Sequence, residues 1–343
     1  DIGNKWIFQD NAPDATTLIL DSERLPLERG YEYRCSDTKI ELCTSTVLAD
    51  ALTEIENAAE YKWFYDSGNH ILYFSCPETV SSSKPIKASF GYSLFSNASR
   101  KHTLILCGIE TKYMAINVAE TTDSQIIDCK ATNVFGAGAF VYDRVLGGKF
   151  VRCEGARCFY GNNGDGFNGH SSNAGDKFAK KTTIFLVDCW AHDNFDDGYS
   201  DHERSETTLI GGLYEHNGKG GVTPSYGSHC CCYNVYARHN GHGFFYTGTA
   251  EAAEGGKYGQ MICYNCVAEA NDKYNNGSGF NVDGVGNTAV CVSCKSIANQ
   301  YAYRAGYNSN QLTIIDCGAL NNIQGEKAGS AASIIAKNTS IVS

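Results

Sequence analysis

Two histidines in successive copies of one short pattern, His170 and His202, are the side chains best placed to do chemistry. They end the segments GDGFNGH at 164–170 and DDGYSDHE at 196–203, each a polar pair, a glycine, an aromatic residue and a short strand. KGGVTPS at 219–225, GHGFFYT at 241–247 and GSGFNVD at 277–283 repeat the pattern. Aligned on the residue after the glycine, Phe167, Tyr199, Val222, Phe244 and Phe280 form an inward column, which Phe140 and Tyr303 extend. Strand alternation turns the next residue outward, and also the one two further on. The expected outward grid is Val141/Asp143, Asn168/His170, Ser200/His202, Thr223/Ser225, Phe245/Thr247, Asn281/Asp283 and Arg304/Gly306. Asp143, His170 and His202 then stack at about 5 Å per step.

An imidazole of near-neutral pKa can take a proton from a carbon beside a carboxylate. Arg204, or Lys177 with Lys180 and Lys181 in a nearby loop, would hold the charge of the uronate. The catalytic candidates are therefore His202, His170, Asp201, Asp143 and Arg204. Asn168, Ser200, Glu203, Thr223, Tyr246, Asp283 and Lys177 are the expected substrate contacts. The competing chemistry is hydrolysis by paired carboxylates. Asp165, Asp196, Asp197, Asp201, Glu203 and Asp143 are its candidates, with Asp165 and Asp197 at the same position of adjacent repeats. Asp201 falls at an inward position, which is costly for a carboxylate unless it is hydrogen-bonded or the strand bulges. Taken singly, Asn168, Thr223 or Asn281 suits an ordinary solvated face; stacked histidines beside carboxylates have no such simple account.

The elements that must position these groups are repeats. Apolar, apolar, any residue, Cys, any residue, Ala and then Asn recurs in LVDCWAHDN at 186–194, MICYNCVAEAN at 261–271, VCVSCKSIAN at 290–299 and IIDCGALNN at 314–322. The anchor positions are Cys107, Cys129, Cys153, Cys189, Gly212, Val235, Cys266, Cys294 and Cys317, in steps of 22, 24, 36, 23, 23, 31, 28 and 23 residues. A base period near 23 accommodates two or three short strands with turns, and no amphipathic helix recurs. The expected fold is a right-handed parallel β-helix over 101–343, with a β-rich N-terminal region at 1–100 that caps it. In that region 46–61 reads as a helix, and 62–77 as strands about a turn at Asp66-Ser67-Gly68-Asn69.

Five residues after the anchor, Asn194, Asn217, Asn240, Asn271, Asn299 and Asn322 predict a hydrogen-bonded amide ladder at a bend where Asn tolerates left-handed geometry. Three residues before it, Leu186, Leu209, Cys232, Cys263, Cys291 and Ile314 predict a buried column. Leu and Ile at equivalent places make the CxxC pairs Cys263/Cys266 and Cys291/Cys294 core residues rather than zinc ligands. Of Cys230, Cys231 and Cys232, at least one should be exposed. The extra residues of the two longest steps fall near 169–181 and 247–258, on one side of the expected grid, where they would wall a groove.

The formal charge of -10 argues against nucleic acid, and no apolar run is long enough to span a bilayer. Mean hydropathy is -0.31. The chain starts at Asp1, as expected of a mature or trimmed form. Reduced cysteine stacks suit folding in a reducing compartment such as the cytosol.

The repeats at 104–322 resemble those of the pectate-lyase-like β-helix superfamily, which includes polysaccharide lyases, glycosidases, alginate epimerases and phage tailspikes. GYSDHERS at 198–205 resembles a motif of mannuronan C5-epimerases in which the histidine is implicated as the base at C5 of a uronate. The match carries to His202, Glu203, Arg204 and Ser205, and departs at Ser200 and Asp201, where that family has Asp and Pro. The resemblance implies a polysaccharide partner and a lyase, epimerase or glycosidase. Its alternative is a non-catalytic glycan-binding module or receptor-binding tailspike, often a homotrimer. Either implies an extracellular or virion-associated protein. No cofactor is expected; a bound calcium ion is the exception the acidic face leaves open.

Overall fold

The computed structural model describes residues 103–342 apart from 113, 135, 159–163, 171–181, 204, 249–258, 272–276, 307–309 and 330–331. Before 103 it describes 5–9, 17–20, 41–42, 47–57, 62–66, 71–75, 86–89 and 93–94. The chain forms two compact units, one of 1–27 with 33–92 and one of 28–32 with 93–343. In the first, strands Lys5–Gln9, Ile71–Ser75, Lys62–Asp66 and Glu41–Leu42 lie side by side in that order. Asp66 pairs with Ile71 in an antiparallel strand pair, and 67–70, where the turn is expected, lie outside the described residues. A helix lies within the expected range, over Leu48–Asn57, with Ala51 and Ile55 buried one turn apart; 46 and 58–61 lie outside the described residues.

The second unit is a right-handed parallel β-helix. Three ten-stranded sheets run its length, and each coil contributes one strand to each. Parallel crossovers are right-handed because a twisted strand packs back on its sheet only that way. Sheet one runs from Ser93–Leu94 to Gln324–Ala328 and holds Gly138–Asp143, Asp165–His170, Tyr199–Asp201, Gly220–Pro224, His242–Tyr246 and Ser278–Val282. Sheet two runs from Ile105–Cys107 to Ser333–Lys337, and sheet three from Glu110–Lys112 to Ser340–Val342.

The aromatic column is as the repeats predict. Phe140, Phe167, Tyr199, Val222, Phe244, Phe280 and Tyr303 are consecutive partners in sheet one and fully buried. Phe140 stacks on Phe167 and Phe244 on Phe280, both at 4.9 Å between centroids.

The cysteines acquire a specific reason. Five anchor thiols donate to the carbonyl three residues before the anchor of the preceding coil. Cys153 reaches Ile126, Cys189 reaches Phe150, Cys266 reaches Cys232, Cys294 reaches Cys263 and Cys317 reaches Cys291, at 3.3–3.5 Å. A thiol is small enough for the core yet keeps a weak donor for a carbonyl at the bend. Cys232, Cys263 and Cys291 are register partners in sheet two, and Cys231 is the partly exposed member of its triplet. The first anchor needs correction. Cys107 pairs with Ile127 and is exposed, so Ile109 lies opposite Cys129.

The amides form a second column by the same geometry. Asn217 Oδ1 accepts from the Asn194 backbone N–H and Nδ2, while Asn217 Nδ2 donates to Asn240 Oδ1 and to the Ala191 carbonyl. Links from Asn240 to Asn271, Asn271 to Asn299 and Asn299 to Asn322 continue it. The left-handed residue is not the ladder asparagine itself but the one before it: Asp193, His216, His239, Ala270, Ala298 and Asn321 take φ of 50–58°. The ladder residue must keep its amide pointing along the axis, so its neighbour absorbs the turn.

Candidate functional site

The outer side of sheet one holds most of the predicted residues in the predicted register. Asp143 pairs with His170, Asn168 with Ser200, and Ser200 with Thr223. The His170 and His202 rings stack at 4.9 Å and 9°, and Tyr226 continues the stack at 5.7 Å. Yet Asn168, Ser200 and Thr223 are nearly fully buried rather than solvated.

Hydrogen bonds define the tautomer of His202. Ser225 Oγ donates to the Asp201 carbonyl at 2.9 Å, which spends its only proton. His202 Nδ1, 3.0 Å from Ser225 Oγ, must then donate to it. The lone pair of His202 Nε2 therefore faces the Ser200 hydroxyl at 3.0 Å. Burial, and then the charge of His170, lower the His202 pKa to about 4. His170 moves the other way. Burial opposes its proton, but the Glu203 hydrogen bond at 3.0 Å and the charges of Glu203 and Asp143 outweigh that and raise it. Asp143 meets Arg144 at 2.9 Å, and burial raises its pKa despite that neighbour.

Two expected contacts are corrected. Tyr246 points into the core at 0% exposure and donates to the Ser228 carbonyl, because alternation from Phe245 turns it inward. Asp201, also 0% exposed, accepts from the Tyr199 and Thr207 hydroxyls at 2.7 Å each. Both donors meet Oδ2, while Oδ1 is buried without a partner, so the inward carboxylate ties strands together within the core instead of facing a substrate. Burial still pushes its pKa up to about 6. Asp283 lies in a turn, accepting from the Gly284 N–H. Arg204 and Lys177 lie outside the described residues, as do 171–181 and 249–258. Both of those segments connect a sheet-one strand to a sheet-two strand, Asp165–His170 to Thr183–Val187 and His242–Tyr246 to Gln260–Tyr264.

A second cluster shares this face. Carboxylate oxygens of Asp165, Asp196 and Asp197 lie within 4.8 Å of one another. Strict alternation would turn Asp165 and Asp197 inward with the aromatic residues. Alternation breaks at the intervening glycine instead: Gly138 pairs with Asp165 and Phe140 with Phe167, and Gly166 is skipped. A Cβ on Gly166 would sit 2.7 Å from Ala191 Cβ and 2.9 Å from Asn194 Nδ2, so glycine and aromatic both face the core. The preceding aspartate is thereby returned to the outer side.

There Asp165 accepts from Asn168 Nδ2 at 2.6 Å and from the Asp197 N–H at 3.0 Å. Asp197 accepts from Thr223 Oγ1 and the Gly220 N–H, both at 2.7 Å. Lys219 Nζ stands 3.5 Å from Asp196 and 3.9 Å from Asp197, half exposed to solvent. Burial, then the charges of Asp197 and Asp196, raise Asp165 well above the usual carboxylate range. Burial, then Asp196, raise Asp197 to about 7 against Lys219, Thr223 and Gly220. The Asp197 charge, with Asp196 and Asp165, holds Lys219 firmly protonated. The repeat brings Asp165 and Asp197 together at one position of adjacent coils, and the structure adds Asp196 and Lys219 to them.

The same cluster is the one group of His, Cys, Asp and Glu side chains among the described residues close enough to share a metal ion. Calcium takes 6–8 oxygen ligands. Here N–H and O–H donors take some lone pairs of Asp165 and Asp197, the Lys219 ammonium stands beside Asp196 and Asp197, and other carboxylate lone pairs could still meet an ion.

No protein-family model matches the chain, and no curated protein matches it. Among solved structures, the catalytic domain of a GH87 alpha-1,3-glucanase variant in complex with tetrasaccharides aligns with a TM-score of 0.44 and 10% sequence identity, covering 99% of this chain and 81% of that one. At that overlap nothing about reaction or ligand is carried across.

Proposed function

We propose that the chain is a polysaccharide-active enzyme that hydrolyses glycosidic bonds with Asp165, Asp196 and Asp197. The observation that carries this reading is the convergence of three carboxylates within 4.8 Å beside Lys219, on the outer side of sheet one. Glycoside hydrolysis needs one carboxylic acid and one carboxylate at the scissile bond. Like charges this close resist ionising together, so the cluster holds both forms near neutral pH. The protonated member passes its proton to the glycosidic oxygen as the C–O bond breaks. An ionised member attacks the anomeric carbon in the same step, as so short a separation favours over a pair spaced by water; water then displaces it from that carbon, giving up its proton to the carboxylate that first acted as acid. Lys219 favours the ionised form of its neighbours and lies where a glycan hydroxyl can reach it. A polymeric glycan substrate places the working protein outside the cell or on a virion.

A second reading, proton abstraction beside a uronate carboxylate, is favoured by the His202 Nε2 lone pair and the raised pKa of His170. The pKa of His202, near 4, weighs against it, because so weak a base takes little share of a carbon-bound proton.

The test is incubation with a panel of bacterial and algal polysaccharides, following reducing ends and the ultraviolet absorbance of unsaturated products. The expected outcome is reducing ends without unsaturation, falling on the order of 10²–10⁴-fold in Asp165→Asn and Asp197→Asn. Unsaturated product that disappears in His202→Asn would move the assignment to the second reading. Binding without cleavage of any polysaccharide would leave a receptor-binding module.

A further inference from the structure

Beyond Asp197 along the axis, the same face carries polar atoms that the protein leaves unsatisfied. Asn281 is 1% exposed, and neither its Nδ2 nor its Oδ1 has a hydrogen-bond partner. Ser278 Oγ, buried in the same strand, also has none. Elsewhere in this column the donors are answered within the chain: Asn168 Nδ2 by Asp165, Ser200 by His202 and Thr223 by Asp197. An unanswered buried polar group is destabilising. Packing does not demand an amide there, since Phe245 fills the matching position one coil earlier.

The surroundings are those of a sugar contact. His242 Nδ1 accepts the Ser278 N–H at 3.1 Å, so the neutral ring carries its proton on Nε2. The His242 ring packs on Phe245 at 4.5 Å. Arg304 is the partner of Asn281 in the next strand and lies over the Tyr301 ring at 5.7 Å.

We propose that His242, Phe245, Ser278 and Asn281 form a glycosyl-binding subsite for a pyranose unit that presents a vicinal hydroxyl pair. Asn281 Oδ1 accepts from one hydroxyl while Nδ2 donates to its neighbour. Ser278 Oγ and His242 Nε2 serve further oxygens, and Phe245 offers an apolar surface to ring C–H groups. The subsite lies three coils from Asp197, roughly 14 Å at the spacing of parallel strands. One oligosaccharide running along the axis can therefore fill the subsite and pass the carboxylates. This inference rests on reading the chain as polysaccharide-active.

The test is calorimetric titration with cellopentaose, maltopentaose, laminaripentaose, chitopentaose and tetragalacturonate, using Asp197→Asn for any probe that is cleaved. At least one probe is expected to bind, and Asn281→Leu to weaken it tenfold or more. Asn281→Leu should also raise the thermal midpoint, since it removes an orphaned amide. If it lowers the midpoint instead, Ser278→Ala decides: weaker binding at an unchanged midpoint supports the subsite, and unchanged binding overturns it. Failure of every probe to bind the parent protein also overturns it. Turnover that survives Asp197→Asn would remove the carboxylate reading and leave the subsite in place. Unaltered binding by Asn281→Leu would remove the subsite and leave that reading in place.

Discussion

Thr223 Oγ1 donates to Asp197 Oδ1 at 2.7 Å, across two adjacent coils of one sheet. The bond favours the ionised carboxylate and opposes the burial that raises Asp197 to about 7. Thr223→Val should raise that pKa by about one unit, because a hydrogen bond to a charged group is worth about 1.5 kcal/mol. The alkaline limb of the kcat/KM profile for glycan cleavage should move up correspondingly. An unmoved limb would show that Asp197 is not the group whose proton is used.

Asp197 also makes stability depend on pH. A folded pKa of about 7 against an ordinary 3.8 means that the folded chain binds more protons between those values. Stability from this group therefore falls as pH rises from about 4 to 7. The thermal midpoint of the parent protein minus that of Asp197→Asn should decline across that window. A flat difference would contradict the buried, raised carboxyl.

His202 contributes with the opposite sign. Its folded pKa is near 4 against 6.5, so the unfolded chain binds more protons between them. The contribution is fully present above pH 6.5 and is lost as pH falls toward 4, by an amount on the order of 3 kcal/mol. The stability of the parent protein relative to His202→Asn should rise across the same interval over which the Asp197 difference declines. Nitrogen NMR of the His202 ring should meanwhile show the Nδ1–H tautomer at neutral pH.

The amide ladder should be costly to interrupt. Asn217 satisfies groups in both neighbouring coils, including the Asn194 N–H and the Ala191 carbonyl. Asn217→Ala strands several buried partners and should cost about 2–4 kcal/mol by chemical denaturation. A loss below about 0.5 kcal/mol would mean that the amides are not bonded as described.

The repeat itself determined much of this protein. A period near 23, with Cys, Ala and Asn at constant offsets, permits one fold in which equal positions stack, and the resulting columns were legible residue by residue. The outward grid was legible too, because alternation is a local property of strands. Alternation holds only while the backbone stays extended, which is why Asp165 and Asp197 were harder to place. The break in alternation at Gly166 and its counterparts faces two successive residues inward and returns the aspartate before them to the outer side. Contacts between coils likewise decided that Asp201 is braced by Tyr199 and Thr207, that Tyr246 belongs to the core, and that His202 has its Nε2 lone pair toward Ser200. Residue type and coil register together make His170 and His202 the chemical centre when the sequence is read alone. Burial and the partners of each ring, which no linear spacing encodes, moved the weight to the three carboxylates beside Lys219.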